Sequence, residues 1–178
     1  MSRIVFAGGP GTGKTTLLLA LQARGCTIVG DSARTIIRDR RRCGLSPRPN
    51  AHDFARDVLR MDIENHAGHA ATPGPVFFDR GVVDALGMLD QAAPLSESEL
   101  SAWLSKYPYW PKVFVFPAWR AIYTNDAERD QTFEQAEAVS RSVRAWYGRC
   151  RYQIVDVPKV CVAERCEYVL QALANGDA

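Results

Sequence analysis

The sequence predicts an α/β fold with a doubly wound, three-layer parallel sheet, and three observations carry that prediction. Short apolar runs recur five times along the 178 residues. Longer segments with helical spacing separate them, and a glycine-rich turn joins the first run to the first helix. Strands joined through helices are parallel, and ligands in such sheets bind at the strands' carboxyl ends.

Residues 4–7 are an apolar run read as a buried strand. A helix over 14–24 follows, with leucines at 17, 18, 19 and 21. Residues 27–29 form a second strand that runs into Gly30-Asp31, and 32–42 a helix with Ile36 and Ile37 inward. Gly44, Pro47 and Pro49 break both periods, so 44–49 is a loop. Asn50 with Asp53 resembles a capping box, opening a helix to about residue 69 whose inward face is Phe54, Val58 and Met61. Pro73-Gly74-Pro75 precedes a strand at 76–78, and a helix covers 82–90. Ser96 with Glu99 caps a short helix over 97–105. Residues 112–116 are a strand and 123–130 a polar stretch. Thr132 with Gln135 opens a helix to 147, and a strand at 152–157 and a helix at 162–174 complete the chain.

The length suits one domain, 1–178, with a sizeable core. Hydrophobic residues make up 47% and charged residues 24%, ordinary for a globular chain. A net charge of +2 points to neither nucleic acid nor membrane. Arg38, Arg40, Arg41, Arg42 and Arg48 cluster, either as a solvated helix end or as an anion-facing surface. Five cysteines without a C-x-x-C pair fit free thiols and a cytoplasmic setting. His66 and His69 sit three apart without further metal-type ligands, which weighs against a metal site. The opening residues lack the apolar stretch of a secretory signal, and no 18-residue apolar run spans a membrane.

Residues 8–15, GGPGTGKT, match the phosphate-binding loop G-x-x-x-x-G-K-[ST]. Its glycines let the backbone of Gly8, Gly9, Pro10, Gly11, Thr12 and Gly13 wrap tightly and turn N–H groups to a phosphate. The helix behind adds its positive end, which Lys14, Thr15 and Thr16 open. Lys14 reaches the terminal phosphates, and the Thr15 hydroxyl takes one Mg²⁺ position. Position after a strand and before a helix makes a chance match remote.

Val76-Phe77-Phe78-Asp79 delivers a carboxylate to the sheet's active edge. Asp79 is the second Mg²⁺ candidate, or a helix N-cap, or both. Its neighbour Arg80 cannot activate water, because guanidinium does not deprotonate in proteins. It can bind phosphoryl oxygens and stabilise transferring charge. A surface ion pair is the plainer alternative. The Asp-Arg pair thus favours phosphoryl transfer over hydrolysis.

That pair resembles thymidylate kinase and its relatives, and deoxynucleoside kinases carry a similar Glu-Arg pair. Across GGPGTGKTTLL, DSARTIIR, FARDVLRMDIE, FFDRGVVDALGML and PAWRAIYTNDAERDQTFEQA the chain is similar to short P-loop proteins of the AAA-domain or predicted-ATPase group. These are related to the nicotinamide riboside kinase domain. The resemblance implies a kinase-like P-loop NTPase fold with strand order 2-3-1-4-5, ATP as donor, and a lid over about 117–132. Ring-forming relatives carry a further helical domain for which these 178 residues leave no room, so a ring is not expected.

In that order Asp31 lies on the order of 10 Å from the phosphate loop. It is the candidate general base for an acceptor hydroxyl, with helix capping as the equal alternative. Arg34, Arg38, Arg56 and Arg80 are the candidate acceptor contacts, with Arg48 and Arg60 nearby, which suggests a polar or anionic acceptor. Arg120 and Arg129 are the lid candidates for the transferring phosphate, against a solvated hairpin. Trp119 and Tyr123 read as packing residues, and the nucleotide base is expected near Val157-Pro158. The resulting expectation is an ATP- and Mg²⁺-dependent kinase of a small molecule, a monomer or homodimer. A nucleotide-dependent switch and a simple ATPase are the alternatives.

Overall fold

The structure, a computed structural model, describes residues 3–123 and 132–176. Five parallel strands form one sheet in the order β2-β3-β1-β4-β5, the order the resemblance implied. They are β1 (Arg3–Gly8), β2 (Thr27–Val29), β3 (Val76–Asp79), β4 (Lys112–Phe116) and β5 (Gln153–Asp156). The helices are α1 (Lys14–Gln22), α2 (Ser32–Arg42), α3 (Ala51–Gly68), α4 (Val82–Ala92), α5 (Glu97–Lys106), α6 (Phe133–Arg149) and α7 (Val162–Ala174).

Side-chain alternation along the strands divides the core. Ile4 and Phe6 of β1, Phe77 of β3, and Phe114 and Phe116 of β4 point to one face. There they meet Leu17, Leu18 and Leu21 of α1 and Cys166 and Val169 of α7. Val5, Ala7, Phe78, Val113 and Val115 point to the other face, against α2, α3, α4, α5 and α6. Phe6 centres the first layer, with ring centroids 5.5 Å from Phe77, 5.7 Å from Phe114 and 5.0 Å from Phe116.

Helix starts follow their caps. Glu99 N donates to Ser96 Oγ at 3.3 Å and Ser96 N to Glu99 Oε2 at 2.9 Å, the reciprocal box expected there. Thr132 and Gln135 repeat it on α6. Asn50 caps α3 through Asp53 N, but Asp53 returns its bond to the Asn50 side chain, so the box is half formed. On α3 the buried row is Phe54, Val58, Asp62 and His66, one every fourth residue, and Met61 is only partly covered. Two polar residues therefore continue an apolar stripe.

Register sets the site. Phe6 pairs with Asp79 and Gly8 with Phe116, so the phosphate loop rises from the sheet centre just past Asp79. Among the described residues no helix is long and apolar enough to cross a membrane.

Phe6→Ala should destabilise the fold by about 3–5 kcal/mol, read as a lower urea midpoint at unchanged slope.

Candidate active site

The loop from Gly8 to Thr15 closes between β1 and α1. Gly8 has φ 136° and Gly13 φ 82°, regions that side chains avoid. A Cβ on Gly8 would stand 2.6 Å from the Phe116 carbonyl oxygen. Gly9 N donates to Ser140 Oγ at 3.1 Å, and Thr12 Oγ1 to Gly9 O at 3.0 Å, which hold the loop's shape. Lys14 is buried, and its ammonium donates to Gly8 O at 3.0 Å, Gly9 O at 2.7 Å and Thr12 Oγ1 at 3.2 Å. Burial, then Arg80, pulls its pKa down to about 8, while Asp79 and Asp31 oppose this. The lysine stays cationic at neutral pH and lies at the loop's mouth.

Asp79 ends β3 with Oδ2 accepting from Thr15 Oγ1 at 3.1 Å. Its Oδ1 is buried without a partner. Burial pushes the carboxyl's pKa up, against the pull of Lys14. An orphaned carboxylate oxygen beside a hydroxyl suits a hard cation that keeps several waters and phosphate ligands. The pair Thr15 and Asp79 therefore fits Mg²⁺.

Arg80 follows with φ 70°, a positive value in a non-glycine residue. Such a conformation costs about 1–3 kcal/mol and persists only where surroundings impose it. Here Arg80 N donates to Phe6 O at 3.0 Å and Nη2 to Gly8 O at 2.9 Å. Nη1 stands 3.3 Å from Asp84 Oδ1, and Nε 3.5 Å from Asp31 Oδ2. Burial lowers the guanidinium's pKa, but Asp84, Asp31 and Asp79 together outweigh it and hold the group above its ordinary value. Arg80 is thus a fixed cation bridging the phosphate loop to Asp31 and Asp84.

Asp84, which sequence reading passed over, anchors this bridge. Its Oδ2 accepts from Gly81 N at 3.1 Å and Tyr147 Oη at 2.6 Å. Burial pushes its pKa up, opposed first by Arg80. Asp31 meets its helix-cap reading. Oδ1 caps α2 by accepting from Ala33 N at 2.9 Å and Arg34 N at 3.2 Å, while Oδ2 faces Arg80.

A cleft of about 1170 Å³ opens in front of these groups. Its wall includes Ile37 of α2, Val58 of α3, Met88 of α4 and Trp146 of α6. Asp62 is buried in that wall, its Oδ1 accepting from Ser32 Oγ at 2.5 Å, and Asn65 Nδ2 donates to the same hydroxyl at 3.1 Å. Burial raises the Asp62 pKa to about 7. Its apolar-stripe position hid it from the sequence pattern. Arg34 and Arg48 line the cleft. Arg38 is not among the lining residues, and Arg56 and Arg60 border a separate depression with Leu59 and Ile63. Those arginines, grouped in sequence as acceptor contacts, are divided by the helical turn.

Beyond β4, Arg120 points outward, bonded to Glu134 Oε1 at 2.6 Å and laid 4.2 Å from the Phe133 ring centroid. Arg129 lies outside the described residues. On this side the cleft is lined by Ile122, Val162 and Arg165, the last also passed over in sequence. His66 Nε2 meets Pro108 O at 3.0 Å, and His69 Nδ1 meets Asn65 O at 2.9 Å.

Sheet order, phosphate loop and the Thr15–Asp79 pair together define a protein of the P-loop nucleotide-binding class. The family described as "AAA domain" matches residues 3–165, and the chain belongs to it. Solved structures share the fold. Deoxyadenosine kinase from M. mycoides with bound dATP is 12% identical at TM-score 0.61, over 97% of this chain and 99% of that one. The NadR protein in complex with NR is 14% identical at TM-score 0.65, over 98% of this chain and 51% of that one. No curated protein matches the sequence.

Asp62 gives a pH prediction. Its folded pKa near 7 exceeds the unfolded value near 4, so the folded state binds the proton more tightly between them. That contribution is present below pH 4 and lost as pH rises through 7. In Asp62→Asn, unfolding stability relative to wild type should therefore rise between pH 4 and 8, measured by urea titration at each pH.

Proposed function

We propose that the chain is a phosphotransferase, moving the γ-phosphoryl group of ATP to the hydroxyl of a small polar metabolite. The observation that carries this reading is the Asp31–Arg80 pair, 3.5 Å apart, between the phosphate loop and the α2–α3 side of the cleft. A hydrolytic site needs a group that orients water beside the γ-phosphate. Here the residue after Asp79 is a permanent cation, and Asp31, a cleft-lining carboxylate, stands 3.5 Å from it.

In this reading Asp31 Oδ2 accepts the proton as the acceptor oxygen bonds to the γ-phosphorus and the bond to the β-phosphate oxygen breaks. Lys14 turns from its own loop carbonyls to the phosphates, and Arg80 stabilises the equatorial oxygens. Thr15 and Asp79 hold Mg²⁺, which screens phosphate charge when bound. Arg34 and Arg48 suit an anionic group on the acceptor, and Asp62 a hydroxyl or amine. The chain acts as one domain, residues 117–132 as its lid, with Arg129 completing the charge at the transferring group.

A phosphoryl-transfer screen tests this, with purified protein, Mg²⁺ and labelled ATP against nucleosides, nucleotides, sugars and amino alcohols. One or more acceptors should be phosphorylated. On that acceptor Asp31→Asn should lose at least about 100-fold in kcat with nucleotide affinity unchanged. Full transfer by this variant would remove Asp31 as base. Arg129→Ala should lower kcat by about 10³-fold, a loss of transfer without loss of binding.

A further inference from the structure

Arg165 lines the cleft but has no part in the transfer reading. It stands in the first turn of α7, where the helix's positive end disfavours a cation. It is only 4% exposed. Its Nε is sealed from solvent with no hydrogen-bond partner, and among the described residues no carboxylate pairs with the guanidinium. Arg80, by contrast, has two carboxylates and a carbonyl around it. What surrounds Arg165 is ring and backbone. Its guanidinium lies 5.6 Å from the Trp119 ring centroid, and a Cβ on Gly13 would stand 2.7 Å from Nη1 and 3.1 Å from Ile122 Cδ1. Burial pulls its pKa down, and only the cysteines Cys166 and Cys161 oppose that. A buried, uncompensated charge is strongly destabilising, so its retention calls for a ligand that completes it.

Its position narrows the ligand. The phosphate loop rises from β1, and Asp31 and Arg80 lie to the β2–β3 side. Arg165 stands across the loop on the β4–β5 side, with Ile122 and Val162. A nucleoside triphosphate whose γ end faces Asp31 lays its nucleoside on the opposite side. That half of the cleft offers apolar side chains and a flat cation with donors only. An aromatic ring lies favourably against guanidinium. Purines also present N7, an acceptor that pyrimidines lack.

We propose that Arg165 is the specificity residue for the donor's nucleoside, holding a purine ring between Ile122 and Val162 and donating to its N7, with Trp119 behind the guanidinium. This rests on the nucleotide-binding reading above. The base thus sits on the first turn of α7 rather than at Val157-Pro158.

Calorimetric titration of wild type and Arg165→Met with Mg²⁺ complexes of ATP, GTP, CTP and tripolyphosphate tests it. Wild type should bind ATP and GTP about 10- to 100-fold more tightly than CTP or tripolyphosphate. Arg165→Met should bring the purine nucleotides down to the tripolyphosphate value and leave tripolyphosphate unchanged. Its melting temperature should match or exceed that of wild type, because an uncompensated charge is removed. Equal weakening of tripolyphosphate and ATP, a lowered melting temperature, or equal wild-type affinity for CTP and ATP would each overturn the assignment while leaving the phosphate loop intact. Failure of wild type to hold any of the four would overturn the nucleotide reading and this one with it.

Discussion

The guanidinium of Arg80 is the constraint on which the β2–β3 side of the cleft depends. It bonds the carbonyl of Gly8, faces Asp31 at the end of β2, and rests on Asp84 in α4. Three elements distant in sequence are thereby held at one edge of the sheet. The backbone at Arg80 accepts a left-handed φ of 70° to bring this about. Strain of that kind survives only if neighbours over-determine it. Asp84 supplies the restraint, because Tyr147 and the Gly81 N–H lock its carboxylate in turn.

Charge balance differs sharply across the phosphate loop. On the β2–β3 side Lys14 and Arg80 stand among Asp31, Asp79 and Asp84, so each cation has acidic neighbours. That arrangement offsets the charge of each cation and fixes their geometry. Across the loop Arg165 has aromatic and apolar neighbours instead. The first environment suits positioning of groups that react. The second suits recognition of something that arrives with its own acceptors.

The setting of the Thr15–Asp79 pair follows from burial as well. Asp79 is embedded at the end of an entirely buried strand, which raises the pKa of its carboxyl and leaves Oδ1 orphaned. A cation or a hydrogen-bond donor such as water can satisfy such an atom. Thr15 lies beside it because Phe6 and Asp79 share a register in β1 and β3.

Much of this was legible along the chain. The spacing of GGPGTGKT, the apolar runs and the capping residues Ser96 and Thr132 are local, and short-range sterics and hydrogen bonding determine what they form. Asp31 and Asp79 were readable because strand ends deliver side chains to one edge. Tertiary structure decided what depends on contacts between elements. Asp62 interrupts an apolar stripe, and only the fold shows that Ser32 meets it. Arg38 and Arg56 resemble Arg34 and Arg48 in composition, yet Arg34 in α2 and Arg48 in the loop after it line the cleft, and Arg38 and Arg56 do not. Arg165 is one charge among 22 basic residues in the sequence. Its significance lies in a buried Nε without a hydrogen-bond partner among the described residues, which no local pattern records, because burial and hydrogen bonding are set by neighbours far away in the chain.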